Sequence, residues 1–206
     1  MCGVPAVRTP ADTEPGQRAV TATSPAVVES RRLVLRPVEP ALAEALVGDL
    51  RLAGRLAGGA LHRDFPGSGL AADLPAYRRR LDGEPALAAG WGLRLALYKQ
   101  ERMVVGAIGF AGPPDGTGAV AVGYSIVRAH QRRGLAVEGV GALVDWAFTD
   151  SRVSRVLADC APDNIASERV LERLGFRRLG LPAAGPQRWE MVRRDWWQRQ
   201  AAMRRD

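Results

Sequence analysis

A chain of 206 residues, 47% hydrophobic and 25% charged, has room for one globular domain with a real core and short tails. Its two cysteines, Cys2 and Cys160, exclude a disulfide framework and suit a reducing cytoplasm; no apolar run is long enough to span a membrane, and the amino terminus lacks the apolar core of a secretion signal. The net charge of +7 is uneven: residues 169–206 hold ten arginines against four acids, +6, leaving +1 for the remainder, and without aromatic-basic interleaving of the stacking kind this basic end reads as a solvated face rather than a nucleic-acid surface.

Residues 1–27, rich in Pro, Ala and Thr and without period, read as a disordered tail. Order begins with "RRLVLRPVEP", a strand that stops at Pro37. "ALAEALVGDLRLAGRLAGGALHRDF" has a helical pattern up to Gly58-Gly59, and "LPAYRRRLDG" forms a short helix closed by glycine. Two strands follow, "GWGLRLALYK" and "RMVVGAIGF", joined as a hairpin, and "AGPPDGTG" is a turn by its Pro and Gly content. "GAVAVGYSIV" alternates as a strand does, whereas "VEGVGALVDWAF" spaces Val140, Leu143, Val144, Ala147 and Phe148 along one helix face. "VSRVLADCA" is a strand and "SERVLERLGF" a helix, and "FRRLGL" and "QRWEMVRRDW" are the two closing strands. The order β-αα-βββ-α-β-α-ββ defines a mixed α/β sheet, with the domain over residues 28–198 and a basic tail over 199–206.

Chemistry concentrates at "HQRRGLAVEG", residues 130–139, where a strand turns into a helix. A helix N-terminus offers unpaired N–H groups and partial positive charge, an anion site. Gly134 can take positive φ, Ala136 is small enough to admit a ligand to the backbone, and Arg132 and Arg133 suit phosphate oxygens. No Lys-Ser/Thr follows the glycine and no G-x-G-x-x-G is present, so neither a Walker loop nor a dinucleotide fold is indicated.

The run Gln131-Arg132-Arg133-Gly134-Leu135-Ala136 fits Q/R-x-x-G-x-G/A, the pyrophosphate signature of the GNAT acetyltransferases. "GYSIV" before it and "ERVLERLGF" after it resemble that family's fourth strand and the helix after its fifth. "RRLVLRP", Glu138, "NIAS" at Asn164–Ser167 and "RWEMVRRDW" resemble the branch of ribosomal-protein N-terminal acetyltransferases. The resemblance spans about residues 28–198. It implies a GNAT fold, a mostly antiparallel sheet splayed between strands four and five with helices on both faces, and an enzyme moving acetyl directly from acetyl-CoA to a primary amine. It implies no metal, no membrane partner and no nucleic acid, and it is compatible with a homodimer.

By that resemblance the pyrophosphate lies on the N–H groups of residues 132–137, Val137 included. Tyr124, Ser125 and Ile126 border the pantetheine, the backbone around Tyr124 and Ile126 polarises the thioester carbonyl, and Asn164 bonds the pantetheine. The usual tyrosine acid is replaced by Leu171, which leaves Ser167 to protonate the departing thiolate. The usual glutamate base is replaced by Ala121; Asp159, Glu138 and His130 are the alternatives, with Asp159 preferred. An α-amine with a pKa near 8 needs a base far less than a lysine near 10.4, so a protein N-terminus or a small-molecule amine is the expected acceptor. The two departures also suit a non-catalytic module that binds acyl-CoA or a partner. Cys160, Trp146, Trp189, Trp196 and Trp197 read as core, and Trp91 as the opening of a strand near the acceptor.

Overall fold

The computed structural model describes residues 27–180 and 185–203; the expected tail at the amino terminus and the last three residues of the basic tail lie outside them. Alternation builds the sheet. In β2 (Leu33–Pro37), Leu33, Leu35 and Pro37 are buried while Val34 and Arg36 are half-buried. β1 (Val28–Glu29) pairs with its edge, and its other neighbour is β4 (Leu93–Tyr98). β4, buried along its whole length, is followed by β5 (Met103–Phe110) and β6 (Ala119–Ile126), both antiparallel to their predecessors. β6 then pairs in parallel with β7 (Arg155–Cys160), and β9 (Gln187–Val192) and β8 (Arg177–Arg178) complete the order β1-β2-β4-β5-β6-β7-β9-β8. A two-residue strand, β3 (Ala60–Leu61), lies parallel to the start of β5.

The parallel step matters most. Only Ala119–Ala121 of β6 pair with Arg155–Leu157 of β7; beyond that rung the two strands separate. Helix α4 (Leu135–Ala147) packs its apolar face, Leu135, Val140, Leu143, Val144 and Ala147, against the sheet as its spacing predicts. Close approach requires Gly139, where a Cβ would come within 2.3 Å of Ile108 Cδ1.

Local signals moved several boundaries. The first helical run breaks at Asp49, nine residues before the glycines, giving α1 (Pro40–Gly48) and α2 (Leu50–Ala57). The Asp49 carboxylate accepts from the N–H groups of Arg51 and Leu52 and so starts a second helix. α3 starts six residues earlier than its sequence pattern suggests and runs Ser68–Gly83. The last strand ends at Val192, and α6 (Arg193–Met203) follows with no intervening turn, so the expected boundary at 198 falls inside a helix. Trp196 anchors α6 by donating Nε1–H to Asp145 at 2.7 Å, whereas Trp197 is exposed and not core. Trp91 closes a π-type turn, Leu87–Trp91, instead of opening a strand. It is buried against Trp146 with ring centroids 4.7 Å apart. Arg94, fully buried, stacks on the same Trp146, and burial pulls its guanidinium down to about 10.

Candidate active site

Register decides which groups face the opening between β6 and β7. Val127 N–H donates to the Val105 oxygen and Ala111 N–H to the Ala121 oxygen, so odd-numbered residues of β6 direct their main-chain groups to β5. The even residues Val122, Tyr124 and Ile126 therefore direct theirs into the gap. Gln131 closes its mouth by donating Nε2–H to the Ile126 oxygen at 2.8 Å. Ser125 differs from its two neighbours: its backbone belongs to the β5 ladder, and its half-buried side chain is on the opposite face from Tyr124.

After Ile126 the chain makes a turn of 3-10 helix, Arg128–His130, and enters the basic segment. Arg132 at φ 58° and Gly134 at φ 75° both adopt the left-handed region, which turns successive N–H groups towards one side. Gly134 caps α4, and the first helical hydrogen bond is Glu138 N–H to the Gly134 oxygen. The N–H groups of Leu135, Ala136 and Val137 thus precede any intrahelical acceptor. Arg132 and Arg133 are exposed; Arg133 lies 3.8 Å from Glu101.

Glu138 holds this turn in place. Its Oε1 accepts from Ser30 Oγ at 2.7 Å and from the Arg32 N–H at 2.6 Å, and its Oε2 from Arg32 Nε at 2.6 Å. Partial burial pushes its carboxyl up, but the hydrogen bonds from Ser30 and Arg32, with the Arg32 charge, outweigh that and hold it below the ordinary value. Glu138 is therefore committed to bracing the helix start, not available as a base. His130 is also committed. It is 5% exposed rather than a surface residue, with Nε2 at 2.9 Å from Glu101.

Across the gap stands α5 (Ile165–Leu174), capped by Asn164, whose Oδ1 accepts from the Ser167 N–H at 3.2 Å. Asn164 is buried, and its Nδ2 has no hydrogen-bond partner. A buried donor left without an acceptor is costly and invites one from a ligand. Ser167 is 4% exposed and sits one turn into the helix, where Asn164, not Ser167, does the capping. The Tyr124 hydroxyl donates to the Ser167 main-chain oxygen at 3.2 Å, which ties β6 to the first turn of α5. Leu171 is fully buried core, and Cys160, also fully buried, donates its thiol to the Ala161 and Asn164 oxygens.

On the odd-residue face, Ala121 lies beside Leu157 in the last shared rung, Glu190 is the cross-strand partner of Leu157, and Asp115 lines the same small cavity as Ala121. Asp159, two residues further along β7, is exposed and engaged by Arg188, Nε to Oδ1 at 2.9 Å and Nη2 to Oδ2 at 3.2 Å. The residues that could hold a nucleotide-linked thioester are a left-handed turn with arginines, an open strand edge, and a buried amide without a partner for its Nδ2 at the start of α5. That donor set fits coenzyme A. Sequence reasoning missed Ser30, Arg32 and Glu101, which brace the turn from more than 25 residues away and carry no local signal.

A splayed sheet with a basic left-handed turn at the head of α4 is the architecture of an acyl-CoA-dependent transferase. Residues 32–177 match the model of the acetyltransferase (GNAT) domain, and the chain belongs to that family. It is 30% identical over 150 residues to the uncharacterised N-acetyltransferase YjdG of Bacillus subtilis (strain 168), covering 73% of this chain and 89% of that one. In fold it resembles RimJ of Mycobacterium smegmatis, solved in complex with CoA-disulfide, at a TM-score of 0.59 and 20% identity over 87% of this chain and 95% of that one. It likewise resembles RimL, a ribosomal L7/L12 alpha-N-protein acetyltransferase solved with coenzyme A, at a TM-score of 0.60 and 19% identity over 83% and 99%. No described helix is long and apolar enough to cross a membrane, and no described group of His, Cys, Asp and Glu could hold a metal ion.

Proposed function

We propose that the protein transfers acetyl directly from acetyl-CoA to a primary amine, either a protein N-terminal α-amine or the amine of a small molecule. The observation that carries this reading is the parting of β6 from β7 beyond Ala121, which turns the backbone of the even residues of β6 into a gap beside the left-handed turn at the head of α4. Acetyl-CoA, when bound, supplies the activated acyl group as a thioester. The chain's own residues do the rest. The N–H groups of residues 132–137, with Arg132 and Arg133, bind the pyrophosphate, where helix polarity and charge act together. The backbone at Tyr124 and Ile126 holds the pantetheine arm and polarises the carbonyl, and Asn164 Nδ2 donates to a pantetheine amide.

Ser167 returns a proton to sulfur, since Leu171 has none to give. Asp159, two residues beyond the last shared rung on β7, takes the amine proton, directly or through water. Arg188 holds this carboxylate through two hydrogen bonds, and an acceptor whose amine is already partly neutral at pH 7 asks little of a base. The fully buried Cys160 is placed for packing, so no acyl-enzyme is invoked. The absence of a carboxylate at Ala121 favours one other reading, a module that binds acyl-CoA without turning it over. A panel of amine acceptors assayed for free thiol release separates the two: release with any acceptor supports transfer, and tight acetyl-CoA binding with none released supports the module.

A further inference from the structure

A groove of about 700 Å3 lies outside the gap, walled by α2, β3 and the turn between β4 and β5. Its volume is that of a ligand or peptide site. The floor is apolar, with Leu50, Leu61 and Phe65, and four arginines line it: Arg51, Arg55, Arg63 and Arg102. All four are exposed, no acidic residue lines the groove, and among the described residues none of the four has a carboxylate within ion-pair distance. Other arginines of this chain are neutralised locally: Arg78 by Glu44 and Asp82, Arg80 by Glu84, Arg152 by Asp150. Arg51 and Arg55 stand one helical turn apart on α2, where like charges repel. A protein that leaves such repulsion uncompensated in a concave surface has arranged a positive potential there.

The groove adjoins the reaction gap. His62 N–H donates to the Val104 oxygen while Val127 N–H donates to Val105, so β3 continues the line of β6 beyond its end. The rings of His62 and His130 touch edge to face at 5.4 Å, immediately before the pyrophosphate turn. From the last shared rung at Ala121 to Ile126 is five residues of strand, roughly 17 Å. An extended peptide with its amine at the rung, lying over the odd-residue face of β6 that α2 also covers and so clear of the pantetheine arm, therefore reaches the groove with about its sixth residue.

We propose that this groove binds an acidic stretch of the acceptor polypeptide, beginning about six residues from the acetylated amine. The proposal rests on the reading of the acceptor as a protein N-terminus. Charge complementarity selects an anionic partner, and the apolar floor selects a polypeptide over a nucleic acid, because Phe65 is buried and the His62 ring is engaged edge to face with His130, which leaves no free aromatic platform for stacking.

The test uses peptides with an N-terminal alanine or serine and about five neutral residues, followed either by about five Asp/Glu or by the matching Asn/Gln. Each is made in a free form for turnover and in an Nα-acetylated form for binding by fluorescence anisotropy. The acetylated acidic peptide should bind about tenfold tighter than its neutral counterpart, with the advantage falling as salt is raised. In Arg51→Glu/Arg55→Glu the advantage should vanish or reverse, while the affinity for acetyl-CoA by calorimetry stays within about twofold, as expected for charges outside the cofactor site. Equal binding of the two peptides would overturn the proposal. So would loss of acetyl-CoA affinity in the double variant, which would give the arginines to the phosphates of coenzyme A, or tighter binding of a single-stranded oligonucleotide than of the acidic peptide. The two readings fail separately. Blocked peptide that binds by its acids while free peptide is never acetylated would leave the groove and remove the α-amine acceptor. Acetylation indifferent to the acids would keep the acceptor and remove the groove.

Discussion

Arg32 Nε lies 2.6 Å from Glu138 Oε2, and Nη1 of the same guanidinium donates to the Arg133 main-chain oxygen at 3.0 Å. One side chain thus links the turn between β1 and β2 to the first turn of α4 and to the turn that precedes it. Glu138→Gln keeps the shape and removes the charge, and should cost about 1–2 kcal/mol of stability in urea, as charge-assisted bonds in a partly buried site do. It should also weaken acetyl-CoA binding, because the turn is no longer fixed.

The same brace sets a pH dependence. Glu138 is held below its ordinary carboxyl value of 4.5 in the folded state, so its contribution is complete above that value and is lost as pH falls through the folded one. The stability difference between the parent and Glu138→Gln should be constant from pH 7 to about pH 5 and shrink below it. A difference that stayed constant down to about pH 3 would show that the carboxylate charge is not what matters.

Gly134 is required by its conformation rather than by space. A Cβ there would meet only Arg32 Nη2 at 3.5 Å, an ordinary contact, but φ of 75° is strained for any branched side chain. Gly134→Val should cost on the order of 1–3 kcal/mol and weaken acetyl-CoA more than Arg132→Ala does. The effect of Arg132→Ala should fade in high salt because that charge is exposed. Calorimetry on the two variants at two salt concentrations checks the order.

Asn164 offers a separation of structure from binding within one side chain. Asn164→Asp keeps the oxygen that caps α5 and removes the Nδ2 donor, so folding should be preserved while KM for acetyl-CoA rises. Asn164→Ala should lose both, with about 1 kcal/mol of stability gone as well. If Asn164→Asp bound acetyl-CoA as tightly as the parent, the amide would have no ligand role.

Ser167→Ala should leave acetyl-CoA affinity nearly intact and lower kcat and kcat/KM together, by about 10²-fold, the lower end for a general acid because water can enter an open cleft. Stability should change little, because Asn164 supplies the cap. Full turnover in this variant would make water the proton source.

Much of this was legible in the sequence because it is local. The alternation of Val120, Val122, Tyr124 and Ile126 and the helical spacing after Gly134 fix a strand-turn-helix unit, and the six-residue basic pattern lies between them. Asp49 carried a readable signal too, since an aspartate just before Leu50 is a helix start inside an otherwise continuous pattern. The start of α6 was hidden because "RRDW" follows a strand with no glycine or proline to mark the change. The brace on Glu138 comes from Ser30 and Arg32, more than 100 residues away, and the burial of Trp91 depends on Trp146 and Phe110. Contacts made only by tertiary packing leave no period to read.

The central claim, direct acetyl transfer from acetyl-CoA to a primary amine that is not a lysine, is tested most directly by free thiol release from acetyl-CoA with two peptides of one sequence. One has a free N-terminus and no lysine; the other is Nα-blocked with a single lysine, and mass spectrometry locates the acetyl group. Release with the first peptide far exceeding release with the second, and acetyl found on its terminal nitrogen, is the expected result. Saturable acetyl-CoA binding with no thiol released by either peptide, or by small-molecule amines, would contradict it.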